Sequence, residues 1–592
     1  MRKFYLPSFD LLVGNERGNV EKGNGRDIRC NPWKGGEDLT QVELVVNFIN
    51  TLRNHETRFT NHRRRREEMK KFIVLCLAGL LILAFSAPGY AQAPKLEFKA
   101  SGFIDAQTFL EENVPQRNTS AGMYSVVNTN YSSGTGIFGI GSRGWNKTDS
   151  HWDARATLKF DAVMGPNLSG TIYFEIDTAR WGSISNSTAI QREANNFGSW
   201  TTDRTALEVK NIYIDVGLPY FGIPVPVTVR VGAQPIGVRP NVFLYSDGTG
   251  VTAGIKIDPV MIIPIYAKAL ENTDFADDDV DVYGLHANAK IGTFTVGGYG
   301  LYYRMNTYPF YVLQPVAALT LAGLTPQVPG TNKSHMWWFG AYADGKAGPV
   351  DLNYDFVYDY GSVDERDSLN VPNVRYRGWV TRLKVDYPWD KLNFGAVGMY
   401  ASGSSARHTS TTGLPGSTTN IGTFSKYVSG YVVPVGAEQD TSNNESIVVY
   451  GMDNGASGGI GIAKNSNYTS LSRGGFGGTW FAKLYGSAKL APWYRVTVQG
   501  LYIGDTTRDG NTLGNAVKYQ GRSRLRNDTS IGWEMDLINE VQIYNNLKFT
   551  IGAGYLVAGN ALDINNGSAS GLGVNRAAAN PWAVRTRLMY TF

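Results

Sequence analysis

Cysteine, histidine and long apolar runs are scarce in this 592-residue chain, and each scarcity removes a class of answer. The only two cysteines, Cys30 and Cys76, both precede residue 92. The chain beyond them has no disulfide framework and no thiolate metal site, which suits export through an oxidising compartment. Beyond residue 91 the histidines are His151, His286, His335 and His408, and none stands in a recognisable Ser-His-Asn or Asp-His arrangement. No hydrolase site is therefore read, and the chain is not expected to be an enzyme. There is no Cys-x-x-Cys-His haem motif, so no cofactor is expected. No metal site is expected either. Asp274–Asp281 (DFADDDVD) offers oxygen ligands but lacks the glycine and bidentate glutamate spacing of a calcium loop, and reads as a solvated turn. Gly455–Gly461 is glycine-rich without a strand-to-helix context, which argues against phosphate binding. Nowhere after residue 91 do 18 apolar residues run together, which excludes transmembrane helices.

Excess charge is missing too, once the N-terminus is set aside. Met69–Ala91 (MKKFIVLCLAGLLILAFSAPGYA) has a two-lysine start, an apolar run from Phe72 to Phe85 and a small-x-small end, the pattern of a signal peptide cleaved before Gln92. Residues 1–68 read as neither signal nor barrel, and the RRRREE run directly before Met69 suggests an upstream extension from a misassigned start, expected to be disordered. That extension contributes a net +3 and the signal lysines +2, so the formal +5 falls to zero for residues 92–592. The apparent basicity implies no nucleic-acid partner.

The whole chain is rich in Gly (68), Tyr (33) and aromatics (12%), and what remains after residue 91 alternates with a period of two. In Pro581–Phe592 (PWAVRTRLMYTF), Trp582, Val584, Thr586, Leu588, Tyr590 and Phe592 share one face, while Arg585 and Arg587 share the other. A terminal strand of this kind resembles the C-terminal signature of bacterial outer-membrane barrels. The resemblance implies that Phe592 is part of the signal read by the barrel assembly machinery.

The rest repeats that pattern. Candidate hairpins turn at 165–167, 219–224, 258–259, 291–292, 348–349, 387–390, 491–493 and 545–546, each tight and rich in Gly, Pro, Asn or Asp. Together with the first strand (95–109) and the last, they predict an all-β, transmembrane antiparallel barrel of about 18 strands over 92–592. Long Ser/Thr/Asn/Gly connections alternate with the tight turns, and 404–476 is the longest. Leu207 and Val209 differ in parity from Ile212 and Ile214, which predicts a bulge between them. Trp389, Trp493, Trp582 and Tyr220 are expected in the periplasmic aromatic girdle.

The charged row must face inward, because a charge on the lipid face near the midplane costs about 2 to 4 kcal/mol. The candidate pore-lining residues are Asp153, Arg155, Lys159, Glu175, Asp177, Arg230, Asp355, Asp359, Arg382, Lys384, Lys483, Arg495, Glu534, Asp536, Arg585 and Arg587. Their mixed signs suggest acidic and basic walls facing each other across a water-filled pore, or simple pairing of solvated neighbours. The segment Ile531–Asp563 (IGWEMDLINEVQIYNNLKFTIGAGYLVAGNALD) resembles a hairpin of the alginate-export family of 18-stranded barrels. That resemblance implies an arginine-lined constriction passing a polyuronate.

The expectation is therefore an outer-membrane porin passing small hydrophilic solutes and ions by passive diffusion. Its partners would be outer-membrane lipid, the assembly machinery and the solutes, with homo-oligomerisation open. The alternatives are a channel specific for a charged oligo- or polysaccharide, and a barrel sheathing partner cytochromes. The 404–476 connection is expected to fold inward rather than lie on the surface.

Overall fold

The computed structural model describes residues 95–113, 148–177, 207–218, 225–272, 276–308, 310, 332–364, 373–404, 427–437, 445–451, 462, 471–508, 512, 519–520, 524–525, 528–565, 575–576 and 578–592. The chain divides into Met1–Ala93 and Pro94–Phe592, and only the second unit falls among these residues. The expected extension, signal peptide and cleavage site thus lie outside the described residues, as does Tyr220.

Eighteen strands form the wall: β1 (Leu96–Glu112), β2 (Thr148–Met164), β3 (Leu168–Asp177), β4 (Glu208–Gly217), β5 (Val227–Val238), β6 (Leu244–Ile257), β7 (Val260–Leu270), β8 (Val280–Ile291), β9 (Phe294–Tyr308), β10 (Asn332–Ala347), β11 (Val350–Asp364), β12 (Val374–Trp389), β13 (Leu392–Ala401), β14 (Thr479–Ala491), β15 (Tyr494–Asp505), β16 (Ser530–Tyr544), β17 (Leu547–Ala558) and β18 (Trp582–Thr591). Every neighbouring pair is antiparallel. The sheet closes where β1 meets β18, in register from Phe103 opposite Thr591 to Glu112 opposite Trp582. Phe592 completes that seam, donating its N–H to Gly102 O (3.0 Å) and accepting from Gly102 N (2.9 Å). Closure matters because an unpaired edge cannot be satisfied in hydrocarbon.

The faces follow the period-two pattern. Phe98 (76% exposed), Leu484 (71%), Met535 (67%) and Trp152 (53%) stand on the outside, while Asp105, Asp153, Asp359 and Glu534 on the inside are buried. An apolar outer row of this size would destabilise a barrel in water and stabilises one in lipid. The pairing of β3 with β4 skips Lys210, between Tyr173–Asn211 and Phe174–Val209, which is the bulge that the parity change predicts.

Two features differ from expectation. Trp582 begins β18 after a long connection, so it sits at the same end as Glu112, to which its indole N–H donates (2.8 Å), and not among the tight turns. Counting aromatics near a chain end is what misplaces it, because the final strand runs toward the turns. Trp389 and Trp493, by contrast, are exposed at the tight turns. The second difference is the β5–β6 hairpin, whose β6 begins at Leu244. Pairing of β4 with β5 ends at Ile212–Ala233, and pairing of β6 with β7 begins at Thr249–Lys268. Residues 234–248 therefore pair only with each other and leave the wall. At Gly232 (φ 130°) the wall releases them, and a Cβ there would lie 2.3 Å from Ile212 O.

Candidate functional site: the interior of the barrel

The inner wall divides along its length. In the half nearer the tight turns, opposite charges pair directly, across adjacent strands or two residues apart on one strand. Arg230 grips Asp215 through two bonds (2.7 and 3.0 Å), Lys159 meets Asp161 (3.0 Å) and Lys384 meets Asp386 (3.1 Å). Arg495 lies 3.8 Å from Glu540, which also pairs with Lys548, and Arg587 holds Asp105 (2.9 Å). Most of these side chains keep a quarter to a half of their surface exposed, so the pairs sit in a solvated lumen. A recess of about 240 Å³ opens here between Thr497, Glu540, Lys548, Arg585, Arg587 and Ile447.

The other half is filled. The described parts of the connection between β13 and β14 lie inside the barrel and are tied to the wall by the wall's own carboxyl groups. Glu534 accepts from Ser446 Oγ (2.8 Å) and from the backbone N–H groups of Val448 (2.5 Å) and Val449 (3.0 Å). Asp536 accepts from the Ile447 N–H (3.2 Å) and Gln499 Nε2 (2.7 Å). The connection returns a charge of its own: Glu445 accepts from Arg382 (2.6 and 2.9 Å) and Lys483 (2.5 Å). Burial pushes the Glu445 carboxyl up, but the two cations outweigh it and hold it down at about 2.

A second strip of the same connection packs on β10, β11 and β12. Asp359 accepts from the N–H groups of Val432 (3.1 Å) and Gly378 (2.9 Å), while the Trp338 indole donates to Val432 O (2.9 Å). Tyr427–Val428 run parallel to β12 at Arg375–Tyr376. Between the strips lies an apolar cluster of Val432, Val435, Ile447, Val448, Tyr450 and Phe476 against inward-facing Leu301, Tyr303, Met336 and Tyr376.

The detached hairpin tip meets this plug. Arg239, with φ of 49°, reaches Asp344 (2.5 Å) and Asp355 (2.5 Å), and its guanidinium lies 4.2 Å over the Tyr342 ring. Burial lowers the Arg239 pKa, but the two carboxylates outweigh it and raise it above the ordinary arginine value. Phe243 stacks on Tyr299 at 5.1 Å, and Tyr431 of the plug donates to Val242 O (3.3 Å).

The candidates from the sequence thus separate into groups. Lys159, Arg230, Lys384, Arg495 and Arg587 stand in the solvated half. Asp359, Arg382, Lys483, Glu534 and Asp536 are buried under the plug, where they anchor chain rather than meet water. Arg155 and Lys210 share Glu175 (3.1 Å each), and Lys210 also reaches Asp247 (3.4 Å). Asp355 belongs to the Arg239 cluster, Asp153 is buried beside His151 (3.9 Å), and Arg585 donates to Gln107 Oε1 (2.5 Å). The side chain of Asp177 lies outside the described residues.

Sequence reasoning overlooks Arg239, Phe243 and Glu445, which belong to connections and not to strands. A signal exists for each: Val238, Val242, Phe243 and Leu244 are apolar where a surface turn should be polar. Likewise YVVPV (431–435) and IVVY (447–450) interrupt a Ser/Thr/Asn/Gly-rich connection.

No family model and no curated protein matches the sequence. Among solved structures the chain resembles OpdQ of Pseudomonas aeruginosa, at TM-score 0.42 and 10% identity, covering 84% of this chain and 98% of that one. It resembles a BenF-like porin from Pseudomonas fluorescens Pf-5 at 0.42 and 9%, covering 84% and 98%. It resembles the outer membrane protein opdK of Pseudomonas aeruginosa at 0.40 and 9%, covering 83% and 99%. Likeness at this level is one of general form. The functional reading rests on this chain's own residues.

Proposed function

We propose that the protein is an outer-membrane porin, a channel for passive diffusion of small hydrophilic solutes and ions, narrowed by its β13–β14 connection and β5–β6 tip. The observation that carries this reading is the contrast between the two sides of one wall: an apolar row outside, and inside a row of exposed ion pairs that makes sense only against water. No catalytic role is assigned to the interior charges, which are engaged with one another or with the plug. Of the sixteen candidates, Lys159, Arg230, Lys384, Arg495 and Arg587 serve as this solvated lining, and Asp359, Arg382, Lys483, Glu534 and Asp536 as the anchors that set the width of the passage. Phe592, at the seam, is the residue we assign to recognition by the assembly machinery.

A channel for a charged polysaccharide is the second reading, favoured by the resemblance of Ile531–Asp563 to alginate-export barrels. That hairpin is β16–β17, and in this chain Glu534 and Asp536 tether the plug. Arg382 is engaged with Glu445 and Arg230 with Asp215, which leaves few free cations for a polyuronate and favours the general channel.

Single-channel recording in planar bilayers tests both. Open steps in KCl with weak ion selectivity and no block by oligouronates are expected. Block by an oligouronate with anion selectivity would favour the second reading, and absence of conductance would refute both.

A further inference from the structure

Among the described residues, charge gathers on the outside of the wall across β9, β10, β11 and β12. Across β9, β10, β11 and β12, the register sets Arg304 opposite His335, His335 opposite Ser362, and Ser362 opposite Arg375. The row two residues nearer the tight turns is Tyr302, Trp337, Tyr360 and Arg377, in the same register. Both rows face outward, because Tyr360 (48% exposed) and Trp337 (39%) alternate with the buried Asp359, Trp338 and Tyr376. Tyr302 stacks on Trp337 at 4.3 Å, and Trp337 on Phe339 at 5.8 Å, so the lower row is a continuous aromatic belt. Arg377 lies 6.0 Å over the Tyr360 ring.

Position along the barrel gives the belt its meaning. Trp337 stands eleven residues from the tight turn after β10, and strands rising about 3.3 Å per residue at a tilt near 45° carry it to about the top of an apolar band roughly 25 Å tall. Arg375 then lies at headgroup level, on the side of the long connections. Arg304 is neutralised by Asp277 (3.1 Å) and Asp281 (3.8 Å), but among the described residues no carboxylate pairs with Arg375 or Arg377, and both are exposed. One further row out, Lys333 faces Asp364 across β10 and β11, a charge-balanced pair.

We infer that this face, Trp337, Tyr360 and Arg377 in one row with Arg375 in the row above, binds a phosphorylated glycolipid of the outer leaflet. The aromatic belt packs against acyl chains and the sugar–chain junction, where amphipathic rings sit best. The two arginines present forked donors to phosphate oxygens, the geometry that guanidinium groups satisfy and that a neutral headgroup leaves unpaired. Stacking on Tyr360 orients Arg377 without a carboxylate partner, leaving its charge for the lipid. The inference rests on the outer-membrane placement proposed above.

The test compares the protein, purified from membranes, with its R375A/R377A and R375K/R377K variants. Each is titrated with lipid A carrying both phosphates and with the dephosphorylated lipid, and binding is read by Trp fluorescence and native mass spectrometry. The protein is expected to retain bisphosphorylated lipid A at least tenfold more tightly than the dephosphorylated form. R375A/R377A should lose about that preference, and R375K/R377K should keep part of it. Equal binding of the two lipids, an unaffected R375A/R377A variant, or a second copy of the chain covering Trp337 in place of lipid would each overturn the inference. Conductance of R375A/R377A should match that of the parent, which shows that it folds. A parent protein that conducts but binds the two lipids equally would sink this inference alone, whereas a parent protein that prefers the phosphorylated lipid but does not conduct would sink the porin reading alone.

Discussion

The two halves of the inner wall carry the same kinds of side chain and use them in opposite ways. Near the tight turns, Asp215 pairs with Arg230 on the neighbouring strand, and Asp161 and Asp386 with lysines on their own strands, in partly exposed positions. Toward the long connections, Glu534, Asp536 and Asp359 accept from backbone N–H groups and a hydroxyl on a segment far away in sequence, and they are buried. Exposed pairs of the first kind contribute little, about 0 to 1 kcal/mol each. Buried charged acceptors of the second kind are expensive to remove, because their donors lose water and partner together. The lower half thus sets the character of the solvent-filled passage, and the upper half sets its width.

Substitution should expose that difference most strongly at Glu534. Glu534→Leu orphans the Val448 and Val449 N–H groups and the Ser446 hydroxyl, at a cost on the order of 3 kcal/mol. The 445–450 strip should come free, raising single-channel conductance severalfold and lowering the thermal midpoint in detergent. Unchanged conductance would mean that this strip does not narrow the passage.

Next in size is Glu445→Gln, which leaves Arg382 and Lys483 without their counter-charge. Reversal potentials in a KCl gradient should move toward anion selectivity. The effect has a defined pH range. The folded-state carboxyl of Glu445 lies near 2, below its ordinary 4.5, so its contribution is complete above 4.5 and disappears as pH falls through 2. Selectivity follows the charge in the folded state, so parent and variant should differ equally at pH 7 and pH 5 and converge only as pH falls toward 2; a difference already lost at pH 5 would contradict the pairing.

Arg239→Ala should act with the opposite sign. It releases Asp344 and Asp355, so selectivity should shift toward cations, and the hairpin tip should loosen. A shift toward anions would show that Arg239 is not the dominant charge at its level. Smallest of all should be Lys159→Ala. Its pair with Asp161 is partly exposed, so stability should change by less than about 1 kcal/mol, with selectivity barely altered. An effect as large as that of Glu534→Leu would erase the distinction between the two halves.

Most of the wall was readable in one dimension. Alternation is local, since a strand places residue i and residue i+2 on one side whatever else the chain does. Trp152–Asp153 and Tyr358–Asp359 therefore declare outside and inside on their own, and tight turns such as Gly348–Pro349 mark one rim. Even the bulge at Lys210 shows as a parity slip. Trp582 was misread because girdle membership depends on strand direction, which is a count over the whole barrel.

The interior was different. Alternation shows that Glu534 and Asp359 face inward, and stops there, since water and a folded-in segment are both polar partners for a carboxylate. Which of them is present depends on contacts between residues 73 or more apart, Asp359 with Val432, Glu534 with Val449 and Arg239 with Asp355. Short apolar runs in 431–435 and 447–450 ask for burial without saying where. The sequence alone therefore determined an all-β barrel with apolar outside and charged inside, because both follow from the two-residue repeat and the cost of charge in hydrocarbon. Only the tertiary structure decided that half of that charge holds a plug, because closing the barrel is what brings distant connections to one lumen.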